Sequence, residues 1–181
     1  MKIIKENFYT VVKLWINQFG AIFLAALLLL PTKILAENFK IEWLSLVVSL
    51  FTIIFYLMLI FWVCCELGLK DSVPIEMGRM KMKWYKGTVL ALTARLPSIL
   101  LCTIICILHL ILPDASVITA ILEIILAYVF NVMYYGTLSF TKTITITPIH
   151  YIIALISIAV CTAGYIAGTK GFLASLLSKK E

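Results

Sequence analysis

The sequence predicts an all-α protein: a polytopic transmembrane helical bundle of about five spans, led by an amphipathic N-terminal helix. Three observations carry this expectation. Of 181 residues, 63% are hydrophobic and only 13% are charged, whereas about a quarter of an ordinary soluble domain is charged. The apolar residues fall in runs near the roughly 20 residues that a membrane-crossing helix needs, and the mean hydropathy is +1.09. The basic residues sit at the ends of those runs, where membrane topology is set. A soluble domain of this length could not hide so much apolar surface from water. The net charge of +6 therefore points to a membrane surface. No RNA-binding motif, helix-turn-helix signature or long basic tail occurs, so nucleic acid is not an expected partner.

The spans are read in order. Residues 43–65 carry no charge between Glu42 and Glu66. Residues 88–112 are interrupted by Arg95 and Pro97, and residues 115–140 by Glu123 and Asn131. The last span covers 150–168. At the N-terminus, Ile4, Phe8, Val11, Trp15 and Phe19 recur at helical steps, with Lys5, Lys13, Asn17 and Gln18 off that stripe. From Phe19 the run is apolar all round and stops at Pro31. This reads as an amphipathic helix at the interface that continues into a first span, residues 14–35. A cleaved signal peptide ending near Ile34-Leu35-Ala36 is the rival reading, but its charged, amphipathic start is long for one. No internal repeat stands out, and five spans do not divide into inverted halves; one domain, 1–181, is expected.

Orientation follows from the loops. With the N-terminus inside, Lys2, Lys5, Lys13, Lys70, Arg79, Lys81, Lys83, Lys86 and Lys142 lie inside, and Lys33, Lys40, Lys170, Lys179 and Lys180 outside. Nine against five favours a cytoplasmic N-terminus and an outer C-terminus. The basic pair Lys179-Lys180 argues against the latter, and a count of four spans would bring it inside.

Four groups of residues are candidates for function. In the Gly68–Gly87 loop, Arg79, Lys81, Lys83 and Lys86 are interleaved with Trp84, Tyr85 and methionines. This composition suits anionic inner-leaflet lipid, at about 1 kcal/mol per basic residue, and alternatively a protein partner. Arg95 lies seven residues into its span from Thr88, about 10 Å deep. Snorkelling to the interface is preferred there over a buried functional arginine. The turn at Pro113-Asp114 implies an antiparallel hairpin in which Asn131 falls level with Arg95, and Glu123 level with Cys102 and Thr103. Arg95, Glu123 and Asn131 then form either a polar clamp between helices or a site for an ion or small polar solute. In the last span, Ala159, Ala163 and Ala167, with Gly164 and Gly168 alongside, suit close helix packing, either internal or between subunits. Residues 141–148 alternate with period two and predict an extended connector.

His109 and His150 lack acidic or cysteine partners at metal spacing, and HExxH, CxxC, GxSxG and P-loop patterns are absent. Five cysteines read as small buried hydrophobes. No metal, cofactor or enzymatic activity is expected.

Leu69-Lys70-Asp71-Ser72-Val73, Gly78-Arg79-Met80, Trp84-Tyr85-Lys86-Gly87, Arg95-Leu96-Pro97-Ser98 and Gly164-Tyr165-Ile166-Ala167-Gly168 together resemble motifs of small polytopic membrane proteins from Gram-positive, clostridia-like bacteria. The resemblance covers the chain from about residue 65 onward. It implies a bacterial plasma membrane and carries over no catalytic residues. The leading expectation is a non-enzymatic accessory or scaffold subunit, docking a membrane-protein partner or forming a homo-oligomer. The second is a small transporter or substrate-binding subunit using Arg95, Glu123 and Asn131.

Overall fold

The computed structural model describes residues 2–39, 43–111, 117–141 and 149–171. All elements among them are helical: α1 (Lys2–Glu6), α2 (Phe8–Phe39), α3 (Trp43–Glu76), α4 (Lys86–Ile111), α5 (Val117–Ile124), a π-helical stretch (Ile125–Phe130), a 3₁₀ turn (Val132–Tyr134), α6 (Tyr135–Phe140) and α7 (Ile149–Thr169). Four helices are long and apolar enough to cross a membrane, and a bent pair makes up to five. The protein is thus an all-α bundle with membrane-spanning helices. The Pro113-Asp114 turn and residues 142–148 of the expected connector lie outside the described residues.

Why the chain forms these helices is visible in their exposed stripes. Phe19, Phe23, Leu27 and Leu30 on α2, and Phe51, Ile54, Met58 and Trp62 on α3, are exposed at three- and four-residue steps. Apolar faces left bare over that length suit lipid, not water. α2 does not stop at Pro31 but runs through it to Phe39. The proline removes only one backbone donor, and Thr32 Oγ1 donates to the Leu28 carbonyl in the same turn, at 2.5 Å. At 34 residues, α3 is about 50 Å long, which exceeds a hydrocarbon core of roughly 30 Å. Its charged last turns, from Glu66 onward, therefore extend past the apolar layer.

The chain divides into two compact units. The first comprises Met1–Asn17, Leu57–Arg95 and Leu155–Glu181. It gathers the start of α2, the end of α3, the start of α4 and the end of α7, around Leu90, Cys64, Cys65 and Tyr165, all fully buried. Close approach is built in: a Cβ on Gly68 would fall on the Tyr165 carbonyl, and one on Gly168 on the Cys65 carbonyl. Only glycine lets these backbones touch.

The second unit comprises Gln18–Tyr56 and Leu96–Ala154. Its apolar core is Cys102, Ile105 and Leu126, with Leu101, Cys106, Leu122 and Tyr151 packed around them. Here the structure departs from the expected straight span over 115–140. Val117–Phe130 and Val132–Phe140 are bent by 85°, and Asn131 leaves helical geometry at φ −129°, ψ 22°. The i→i+5 pattern of a π-stretch and the unpaired groups of a broken helix need outside partners. Ser49 and Thr52 of α3 supply them. Ser49 Oγ donates to the Met133 carbonyl at 2.7 Å and accepts from the Thr137 amide at 3.2 Å, while Thr52 Oγ1 lies 3.2 Å from the same carbonyl. Gly136 admits the contact, since a Cβ there would strike the Ser45 carbonyl.

Candidate functional site

The Gly68–Gly87 region is an ordered structure held at both ends. α3 closes with a glycine cap: Gly78 takes φ +69°, its amide donates to Ile75 O, and the Arg79 amide donates to Pro74 O at 2.9 Å. The Met80 amide shares Pro74 O, and the Lys86 amide donates to Lys83 O at 2.9 Å as α4 begins. Beneath this turn, Lys86 Nζ meets Asp71 Oδ2 at 2.6 Å, and Tyr165 Oη donates to the same oxygen at 2.8 Å. The two charged side chains are only 11% and 13% exposed. Such a pair is stable only where its geometry and extra hydrogen bonds offset desolvation. Tyr165, fully buried and with the ammonium 6.0 Å from its ring centroid, provides both a hydrogen bond and a π-face.

Lys86 is therefore a structural residue, not a surface one, which corrects its expected place among the docking residues. Its position at the first turn of α4, beside the close contact of Gly87 with Tyr165, turns it inward. Arg79, Lys81, Lys83 and Trp84 are exposed as expected, with Met77, Met82 and Tyr85. Trp84 and Tyr85 meet edge to face, with ring centroids 6.0 Å apart. Lys13 Nζ pairs with Glu66 Oε2 at 3.0 Å, and Lys70 with Glu66 Oε1 at 2.9 Å. This partly exposed bridge ties the start of α2 to the end of α3.

The three intramembrane polar residues go to three different partners. Arg95 is 3% exposed, and its Nη2 donates to Ser157 Oγ of α7 at 2.9 Å. Burial against α7 replaces the expected snorkelling. Glu123 Oε1 lies 2.7 Å from His109 Nε2. With Leu126 packed on Cys102 and Ile105, this places Glu123 nearer the end of α4 than the expected level of Cys102 and Thr103. Asn131 Nδ2 donates to Leu126 O at 3.2 Å and lies 3.1 Å from His150 Nδ1. With Asn131 donating, the ring proton of His150 sits on Nε2.

On α7 the small residues split. Gly164 and Gly168 are buried against α3, whereas Ala159 and Ala163 are exposed and Ala167 is half-buried. The packing face is set by Cys161, Gly164, Tyr165 and Gly168, so the alanines at four-residue steps do not form it. The residues that sequence reasoning missed are Asp71, Tyr165, Ser49, Thr52 and His150. Ser49 and Thr52, three apart in the most apolar span, were the signal available for the last group.

Chemically, the first unit can present cationic and aromatic side chains on a fixed turn, and the second can hold a helix break open against buried hydroxyl, amide and imidazole groups. Among the described residues no cluster of three His, Cys, Asp or Glu could hold a metal ion. Compared with protein families, curated proteins and solved structures, the chain matches none.

Proposed function

We propose that this chain is a non-enzymatic accessory or scaffold protein of a bacterial plasma membrane, its N-terminus cytoplasmic, which docks a partner through the Met77–Tyr85 turn. The observation that carries this reading is the contrast within one turn. Arg79, Lys81, Lys83 and Trp84 are exposed, while the residues that anchor them, Asp71, Lys86 and Tyr165, are spent on a buried cluster. A preorganised surface loses less entropy on binding than a loose loop, and Arg and Trp are the side chains that most often anchor interfaces.

A photo-crosslinking residue in place of Trp84, in the full-length protein in its own membrane, tests the proposal. The expected result is one discrete protein adduct that disappears in the Arg79→Gln/Lys81→Gln/Lys83→Gln variant while the bundle stays folded. Absence of any discrete protein adduct sinks it.

A second reading has its own support. Broken helices at membrane depth commonly frame solute or ion sites in transporters, and the break at Asn131 lies beside buried His150, Ser49 and Thr52. On this reading Asn131→Ala abolishes uptake of a small polar solute with normal expression; unchanged uptake of every solute carried by the wild type contradicts it.

A further inference from the structure

The described helices between α4 and α7, Val117–Phe140, belong to the second unit, Gln18–Tyr56 with Leu96–Ala154. Their straight part is α5 with eight residues and the π-stretch with six. That is about 20 Å of helix, short of a hydrocarbon core of roughly 30 Å. After the 85° bend, α6 brings Gly136 against Ser45, two residues into α3. The chain thus descends from the end of α4, turns, and returns to the level where α3 starts.

We propose that Val117–Phe140 is a re-entrant hairpin, so that the chain crosses four times and the start of α2 and the end of α7 share a face with the Gly68–Gly87 loop, forming one cationic surface for anionic lipid headgroups. Contacts within the first unit join those ends. Lys13 reaches Glu66, Thr88 Oγ1 lies 2.8 Å from Thr162 Oγ1, and Gly68 lies against Gly168. The start of α2, the end of α3, the start of α4 and the end of α7 therefore lie together.

Charge supports the assignment independently. Among the described residues the first unit has ten Lys and Arg against four Asp and Glu, a net of +6; the second has one against two, a net of −1. Leaving out Arg95, which lies within its helix, nine of the ten other described basic residues belong to the first unit and only Lys33 to the second. A five-span path would put Lys170 with Lys33 and divide the same ten as eight against two. Clustered basic residues beside a membrane-spanning helix suit phosphate-bearing headgroups. Among the described residues the acidic ones there are Glu6, Glu66, Asp71 and Glu76. Glu66 and Asp71 are already paired with lysines, so a cationic excess remains.

Single cysteines at Lys40, Lys81 and Lys179 of the full chain, probed in intact cells with a membrane-impermeant maleimide and the parent protein as blank, test the path. Lys40→Cys is expected to label directly, and Lys81→Cys and Lys179→Cys only after permeabilisation. Labelling of Lys179→Cys from the face opposite Lys81→Cys overturns the hairpin. For the lipid, nanodiscs of phosphatidylcholine with and without phosphatidylglycerol are compared. The expected reading is an unfolding midpoint about 2–4 °C higher with phosphatidylglycerol, a gain that shrinks in high salt and in Lys81→Gln/Lys83→Gln. Equal midpoints overturn the lipid assignment.

Discussion

Lys86 at the start of α4 and Asp71 near the end of α3, fifteen residues apart across one turn, meet at 2.6 Å below the surface, and Tyr165 from the last helix donates to the same carboxylate oxygen. The pair makes the loop a property of the helix bundle. Whatever the turn from Met77 to Tyr85 presents, it presents from a fixed frame.

Breaking that pair leaves a buried charge without compensation, which typically costs about 3–5 kcal/mol. Asp71→Asn is therefore expected to lower the unfolding midpoint in detergent sharply. Tyr165→Phe, which removes one hydrogen bond to a charged group, is expected to cost about 1.5–3 kcal/mol. Thermal unfolding of both variants checks the order, and a larger loss for Tyr165→Phe contradicts it.

The two small-residue faces of α7 make opposite predictions. Gly168→Ala places a Cβ on the Cys65 carbonyl and is expected to destabilise the protein by about 1–3 kcal/mol, as overpacking does. Ala163→Leu, on the exposed side, is expected to stay within about 0.5 kcal/mol of the parent. Thermal melts that reverse this ranking would place the packing face on the alanines.

Ser49 and Thr52 share the Met133 carbonyl, so each can stand in for the other. Ser49→Ala or Thr52→Val alone is expected to cost about 1 kcal/mol, and the double variant more than the sum. A double-mutant cycle reads this directly; strict additivity means that the two hydroxyls do not act on one group.

Glu123 meets His109 two residues before the end of α4, a polar contact between helices is worth under about 2 kcal/mol, and glutamine keeps an oxygen at the same place. Glu123→Gln is expected to leave the melting midpoint close to that of the parent. A large loss would mark Glu123 as part of a buried network.

The helices were legible in the sequence because lipid demands long apolar runs: 43–65 and 150–168 each fall inside an observed helix, as does 88–112 up to Ile111, the last residue described there. The bend at Asn131 was not. Its cause is the reach of Ser49 and Thr52 from another helix, and periodicity along one segment does not report hydroxyls on its neighbour. Arg95 shows the same limit: depth along a span is countable, but Ser157, the acceptor that lets it stay buried, lies 62 residues away. The exposed part of the basic loop was legible from composition. Its buried anchors were not, because an ion pair between Asp71 and Lys86 looks in sequence like two more charges on a solvated loop.

Hydrogen–deuterium exchange of the 77–86 turn, in the parent protein and in Asp71→Asn, tests the central claim most directly. Slow exchange at the Arg79, Met80 and Lys86 amides, whose acceptors are Pro74 O and Lys83 O, is expected in the parent, with that protection lost in the variant. Full exchange of the same amides in the parent would contradict a preorganised docking surface.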